Sequence, residues 1–229
     1  MRSAGKAGGM WRPSCRRIGY DAVFDQGQET NPKPRREVTP VEHKGTKRLE
    51  TERLILRPFG AADGPAMFHN WCNDPEVNRF LSWPCHGTVE VSCRLAAQWA
   101  AAAKKPDCYQ WAIVPKALGE PAGSIAVVAH QDDGARAEIG YCLAKAWWGQ
   151  GLMTEAAGAV IRYLIQEVGM ERVEARHNVL NPASGRVMQK VGMTFQGIRH
   201  TEEKNNQGPH EVACYAISAQ EWAEKNRRG

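Results

Sequence analysis

The stretch Trp147-Trp148-Gly149-Gln150-Gly151-Leu152-Met153-Thr154-Glu155-Ala156 decides how this 229-residue chain is read. Before it lies a short run rich in apolar and β-branched residues, 137–143. After it, Ala157, Val160, Ile161, Leu164 and Val168 recur at spacings of three and four, which predicts a helix over 154–168. Two glycines, one residue apart, occupy the junction between strand and helix. Glycine adopts dihedrals closed to other residues and lets a ligand approach the main chain. The first N–H groups of the following helix have no partner inside it. Together these features make a site for an anion, most naturally a phosphate or pyrophosphate. The bland alternative is a tight connection in which the glycines serve packing alone. The turn is not a P-loop, because no Gly-Lys-Ser or Gly-Lys-Thr follows. It also lacks the third glycine and the later acidic residue of a dinucleotide fingerprint.

Working outward, residues 51–59 read as a strand stopped by Pro58, and 61–70 as a short helix. Asp74 with Pro75 makes a capped helix start. An Ala-rich helix is expected over 88–105, with Val91, Leu95, Trp99 and Ala102 on one face. Strands follow at 109–114, 123–129 and 137–143, the last two joined by Asp132-Asp133-Gly134. Beyond the glycine turn come a strand at 172–178 and a helix opened by Asn181-Pro182 and stopped by Gly192. Two strands close the pattern, 194–199 and 211–217, with a flexible loop between them. A last helix is expected over 218–225. The order predicts an α/β (α+β) domain, a mixed and mostly antiparallel sheet with helices on both faces, and no internal repeat.

The charge is uneven. Residues 1–48 carry 11 Lys or Arg against 5 Asp or Glu, and the rest carry 19 against 20. Residues 1–47, rich in Gly, Pro and charge, read as a disordered basic extension, and 48–229 as one domain. The near-neutral body and the lack of an RRM, KH or helix-turn-helix signature argue against a nucleic-acid partner. The seven cysteines include no CxxC pair, and the seven histidines no HExxH pair. We therefore expect reduced thiols, no metal and a cytoplasmic protein. No run of about 18 apolar residues occurs, so no membrane association is expected. The first 20 residues lack the apolar core of a secretory signal.

The glycine turn resembles the acyl-CoA pyrophosphate loop of the GNAT superfamily, whose pattern is Gln/Arg-x-x-Gly-x-Gly/Ala. Gly151 matches the central glycine, while the first and last positions, Trp148 and Met153, depart from it. The departures resemble the RimJ/RimL branch of ribosomal-protein N-terminal acetyltransferases, where an aromatic-Trp-Gly-x-Gly string before Thr-Glu-Ala is usual. Four further segments agree in order. They are Arg53-Leu54-Ile55-Leu56-Arg57-Pro58, Asp74-Pro75-Glu76-Val77, Ala137-Glu138-Ile139-Gly140-Tyr141, and Asn181-Pro182-Ala183-Ser184 with Lys190-Val191-Gly192-Met193. The resemblance spans roughly residues 49–200.

The resemblance implies the GNAT acyl-CoA N-acyltransferase fold and transfer of an acetyl group from acetyl-CoA to a primary amine, either a protein N-terminus or a small molecule. It implies that two central strands part to admit the acyl-pantetheine. Tyr141, Cys142 and Leu143 would hold the cofactor through their backbone. Trp148, Gly149, Gln150, Gly151, Leu152, Met153 and Thr154 would hold its phosphates, and Asn181 its pantetheine amide. Glu138 is the candidate base, directly or through water. A carboxylate on a central strand is costly to bury without a reason, the structural alternative being an ion pair. Ser184 is the candidate for protonating the thiolate and for contact with the cofactor; a helix cap is the alternative. Trp83, His177 and Asn178 are candidates for the acceptor side, and His177 is the second choice as base. A homodimer is compatible with the family. A non-catalytic acyl-CoA-binding module is the competing function.

If the turn binds phosphate, a β-branched residue at Gly151 should block its approach and sharply weaken acetyl-CoA binding in a calorimetric titration. Near-normal affinity would remove the assignment.

Overall fold

The computed structural model describes residues 40–227. The expected disordered extension lies outside the described residues as far as residue 39. Residues 40–47, however, are held against the body. Glu42 N–H donates to the Val168 carbonyl at 3.0 Å and Gly45 N–H to that of Pro106 at 2.6 Å. Thr46 is buried, and its hydroxyl donates to the Cys108 carbonyl at 2.9 Å. The boundary expected at residue 48 is therefore too late. The segment is fixed by long-range backbone bonds, which its polar composition does not reveal.

The sheet begins with Leu49–Glu50 (β1) and Leu54–Pro58 (β2). A regular helix was expected over 61–70. In its place stand a 3₁₀ turn at Ala61–Asp63, an α turn at Gly64–Met67 (α1) and a wider π turn at Phe68–Cys72. Pro75–Asn78 (α2) is capped by the Asp74 side chain, which accepts from the Glu76 and Val77 N–H groups. Then come Val89–Ala102 (α3), Gln110–Pro115 (β3), Gly123–Gln131 (β4) and Arg136–Leu143 (β5). Past the glycine turn, Leu152–Tyr163 (α4) runs on as a π turn at Leu164–Val168. Arg172–Asn178 (β6), Pro182–Lys190 (α5), Thr194–Asn205 (β7), Gly208–Ser218 (β8) and Ala219–Asn226 (α6) complete the chain. The flexible loop expected between the last two strands is instead their paired continuation, with Thr201 opposite His210 and Asn205 opposite Gly208. Polar side chains on a hairpin read as loop when no apolar alternation marks the strand.

The eight strands form one sheet in the order β1-β2-β3-β4-β5-β6-β8-β7. Only β5 and β6 run parallel, so the mixed, mostly antiparallel sheet is as expected. Side chains alternate between its faces. Trp111 and Ile113 of β3 join the core built with α4, Met188 of α5 and Trp222 of α6. Ala112 and Val114 join a second core with Met67, Leu95 and Trp99 under α1 and α3. Helices thus cover both faces. No helix among the described residues is long and apolar enough to cross a membrane.

One irregularity positions the site. Val127 pairs with Ile139 and Ala129 with Glu138, so Val128 is an extra residue bulged from β4. A bulge bends the strands that carry it. Pairing between β5 and β6 ends at the same place, with Glu138 opposite Glu174 as the last pair. Beyond it β5 still pairs with β4 as far as Leu143, while its other backbone edge, over 139–143, has no strand beside it. The sheet is split from within.

Gly123 holds β4 tightly against that stretch. A Cβ there would lie 2.5 Å from the Cys142 carbonyl oxygen and 3.0 Å from the Leu143 Cα. Gly123→Ala should therefore destabilise the fold by about 1–3 kcal/mol, the usual cost of overpacking. The check is the urea midpoint at unchanged slope.

Candidate active site

The glycine turn sits at the mouth of the split. Gly149 and Gly151 both have left-handed dihedrals, φ +75° and +79°. Space is not what demands glycine at 151, since an added Cβ would make only ordinary contact, with Arg53 at 3.6 Å. The backbone conformation demands it. Gly151 is the N-cap of α4, and residues 148–151 are exposed while Leu152 and Met153 turn inward. The α4 N-terminus thus presents its first N–H groups at an open turn, where the helix dipole favours negative charge. Trp148 reaches back and donates from Nε1 to the Leu143 carbonyl at 2.7 Å, closing the end of the bare β5 edge.

Residues outside the motif fasten this turn. Glu155 Oε1 accepts from Thr51 Oγ1 at 2.6 Å and from the Arg53 N–H at 2.9 Å, and Glu155 Oε2 accepts from Arg53 Nε at 2.7 Å. Arg53 also donates from Nη1 to the Gln150 carbonyl at 2.9 Å. Partial burial works against the charged carboxyl, but the hydrogen bonds from Thr51 and Arg53 and the Arg53 charge outweigh it and hold Glu155 below its ordinary range. Sequence reading quoted Arg53 and Glu155 only as family pattern and missed this role. Their separation of 102 residues leaves no local signal.

Inside the split, Tyr141 projects from β5 toward α5. Its hydroxyl donates to the Ser184 carbonyl at 3.0 Å and accepts from Ser184 Oγ at 3.1 Å. Burial pushes the Tyr141 phenol well above its ordinary range, partly offset by Ser184, and keeps it protonated. Ser184 is presented by the first turn of α5, where Asn181 caps the helix by accepting from the Ser184 N–H. The two candidates from the late helix and the strand therefore meet, through the tyrosine side chain rather than its backbone alone.

The remaining candidates divide between the faces. His177 packs beneath α5, where a Cβ on Gly185 would lie 2.6 Å from its Nε2. Its ring stacks on Tyr215, and its Nδ1 lies 2.7 Å from the Asn178 carbonyl and donates to it. Burial lowers the His177 pKa, so the ring is neutral near pH 7. Asn178 is buried at the end of β6, with Oδ1 accepting from the Leu180 N–H at 2.8 Å. Its Nδ2 has no hydrogen-bond partner, leaving a donor available at the split.

Glu138 is buried at the last β5–β6 pair and ion-paired with Arg176 Nε at 2.8 Å. Cys142 lies on the same face of β5, and Trp83 packs near it against the second core. Asn206, in the turn between β7 and β8, donates from Nδ2 to the Asn78 and Trp83 carbonyls, both at 2.7 Å. Its own N–H donates to the Leu81 carbonyl at 3.1 Å. The hairpin tip and the loop after α2 are thereby joined over this face. The arrangement suits an extended ligand that is phosphorylated at one end and lies along the bare β5 edge.

A sheet parted between two parallel strands, with an exposed helix start at the opening, is a site for an extended ligand that carries negative charge at one end. Residues 53–194 match the family model described as acetyltransferase (GNAT) domain. The N-acetyltransferase YoaA of Bacillus subtilis, itself uncharacterised, is 30% identical over 169 residues, covering 74% of this chain and 95% of that protein. The FsC-acetyl coenzyme A-N(2)-transacetylase of Aspergillus fumigatus is 25% identical over 210 residues, 86% and 79% of the two chains. Among solved structures, a GCN5-related N-acetyltransferase from Brucella melitensis superposes with a TM-score of 0.71, at 21% identity, over 82% of this chain and 85% of that one. RimL, a ribosomal L7/L12 α-N-protein acetyltransferase solved with coenzyme A, gives 0.67 at 22% identity, over 75% and 98%. These last two likenesses speak for the fold. The chain belongs to the GNAT acetyltransferase family and is an acetyl-CoA-dependent acetyltransferase.

Because the Glu155 pKa is depressed by folding, its contribution to stability is present above the unfolded value and is lost as pH falls through the folded one. Glu155→Gln should cost about 1.5–3 kcal/mol at pH 7, the range for hydrogen bonds to a charged group. The gap between wild type and variant should narrow below about pH 4. Chemical unfolding across pH measures both.

Proposed function

We propose that the enzyme acetylates a primary amine by direct attack on the thioester, in the manner of the RimJ/RimL branch, with residues 48–229 and the ordered segment before them acting as one catalytic domain. Acetyl-CoA supplies an activated acyl group and a thiolate to be protonated. The observation that carries the reading is the Tyr141–Ser184 pair spanning the split directly behind the glycine turn. A domain that only bound acyl-CoA would have no use for a buried proton donor at the place where the thioester would lie.

In this scheme, residues 148–154 hold the phosphates with backbone N–H groups. The bare edge of β5 at Tyr141, Cys142 and Leu143 hydrogen-bonds the extended pantetheine and orients the carbonyl, as an exposed strand edge does for any extended chain. The Asn181 side chain bonds the pantetheine amide while capping α5. Tyr141 holds Ser184 in place through its carbonyl, and the Ser184 hydroxyl turns from Tyr141 to the sulfur, gives its proton to the departing thiolate and regains one from solvent. Asn178 and Trp83 line the acceptor side. Glu138, ion-paired with Arg176, orients the incoming amine and takes its proton through water. His177 is a less suitable base, because α5 covers its bare nitrogen.

The acceptor is the amine end of a slender molecule, a chain N-terminus or a small amine. The Asn206 contacts tie the hairpin tip to the loop after α2 on the face from which it would enter.

Ser184→Ala should reduce turnover about a hundredfold, the lower range of general acid catalysis, with acetyl-CoA affinity nearly unchanged, and Tyr141→Phe should reduce it by a smaller factor. Thiol release is measured with a panel of primary amines and N-terminal peptides, and affinity by calorimetry. Wild-type turnover in both variants would reduce the pair to a structural contact.

A further inference from the structure

At the end of the sheet opposite the glycine turn, three metal-binding side chains converge. His43 comes from the segment before β1, His130 from the end of β4, and Asp132 from the turn into β5. Asp132 Oδ1 lies 2.8 Å from His130 Nδ1 and 3.2 Å from His43 Nε2. One ligand atom from each residue falls within a sphere of contacts no wider than 4.8 Å. The two imidazoles meet edge to face with centroids 4.8 Å apart, and each presents a nitrogen to the same carboxylate oxygen.

Two further observations distinguish this cluster from a surface hydrogen-bond network. The second nitrogen of His43, Nδ1, lies 2.9 Å from the Tyr109 hydroxyl. Metal-ligating histidines are commonly fixed by such a contact, which sets the ring plane and tautomer from behind. His130 is 4% exposed, and its Nε2 has no hydrogen-bond partner. The nitrogen turned to the cluster is the other one, Nδ1, and burial fixes the ring with Nδ1 toward Asp132. The Asp132 side chain is 35% exposed, which leaves one side of the cluster open for a water.

We propose that His43, His130 and Asp132 bind one divalent transition-metal ion of the zinc class. Two imidazoles and one carboxylate suit zinc, and with bonds of about 2.0–2.1 Å its tetrahedral ligands stand roughly 3.3 Å apart. The two ring nitrogens, which lie up to 4.8 Å apart, close by as much as about 1.5 Å to reach that spacing. The proposal departs from the sequence-based expectation of no metal, which rested on the absence of closely spaced ligands; His43 and Asp132 are 89 positions apart. The site is structural. The eight-residue strand β5 separates it from the glycine turn, a span of about 25 Å at the usual rise. The ion clips the segment that leads out of residues 1–39 to the β4–β5 turn.

The test uses the full chain after chelator treatment, titrated with zinc chloride by calorimetry, with thermal unfolding followed with and without the metal. One zinc per chain should bind and raise Tm. His43→Gln and Asp132→Asn should each weaken binding at least about tenfold and abolish the rise in Tm. Both should keep the wild-type affinity for acetyl-CoA, which reports an intact fold. Asp132→Asn retains shape and acceptor oxygen, so it guards against a misfolded His43 variant. Failure of the folded wild type to bind zinc, or wild-type zinc affinity in the two folded variants, would overturn the proposal.

Discussion

One extra residue in β4 organises the rest of the molecule. Val128 has no partner in β5, and at that point β5 turns away from β6. A continuous sheet would satisfy every backbone group and leave nowhere for an extended ligand. The bulge breaks that continuity while β4 still holds β5 along its other edge. The opened side then has backbone donors and acceptors without a strand. Gly140 belongs to the same arrangement, since an added Cβ there would come within 3.0 Å of the Val128 side chain. A larger residue would press on the bend that makes the opening.

The charged contacts around the split divide the labour. Arg53 and Glu155 tie the start of β2 to the first turn of α4, so the glycine turn is set by residues on two elements rather than by its own glycines alone. Arg176 and Glu138 neutralise each other at the last β5–β6 pair. Burying either charge alone would be costly. Placed there, the pair marks the point where the sheet ceases to be closed and polar groups become acceptable in its interior.

Local chemistry was legible in the sequence and long-range geometry was not. The glycine turn, the Asn181-Pro182 helix start and the Asp74 cap depend on residues within one turn of each other, and each stands where the sequence places it. The Tyr141–Ser184 contact spans 43 positions, and each partner alone reads as packing or capping. The bulge lies in Ala126-Val127-Val128-Ala129, which looks like any buried strand. The same limit explains the early boundary of the fold. His43 and Thr46 sit in a polar stretch, yet Thr46 bonds residue 108 and His43 meets Tyr109.

The Asn206 contacts have a consequence for how the molecule comes apart. They join the tip of the β7–β8 hairpin to residues 123 and 128 positions earlier in the chain. The hairpin is anchored at one end by the sheet and at the other by this contact, so the outermost strand β7 is fastened at both ends. An edge strand that would ordinarily fray first is thereby drawn into the cooperative unit formed by the first helices. The same contact closes a loop of more than half the chain, and loops of that length form late.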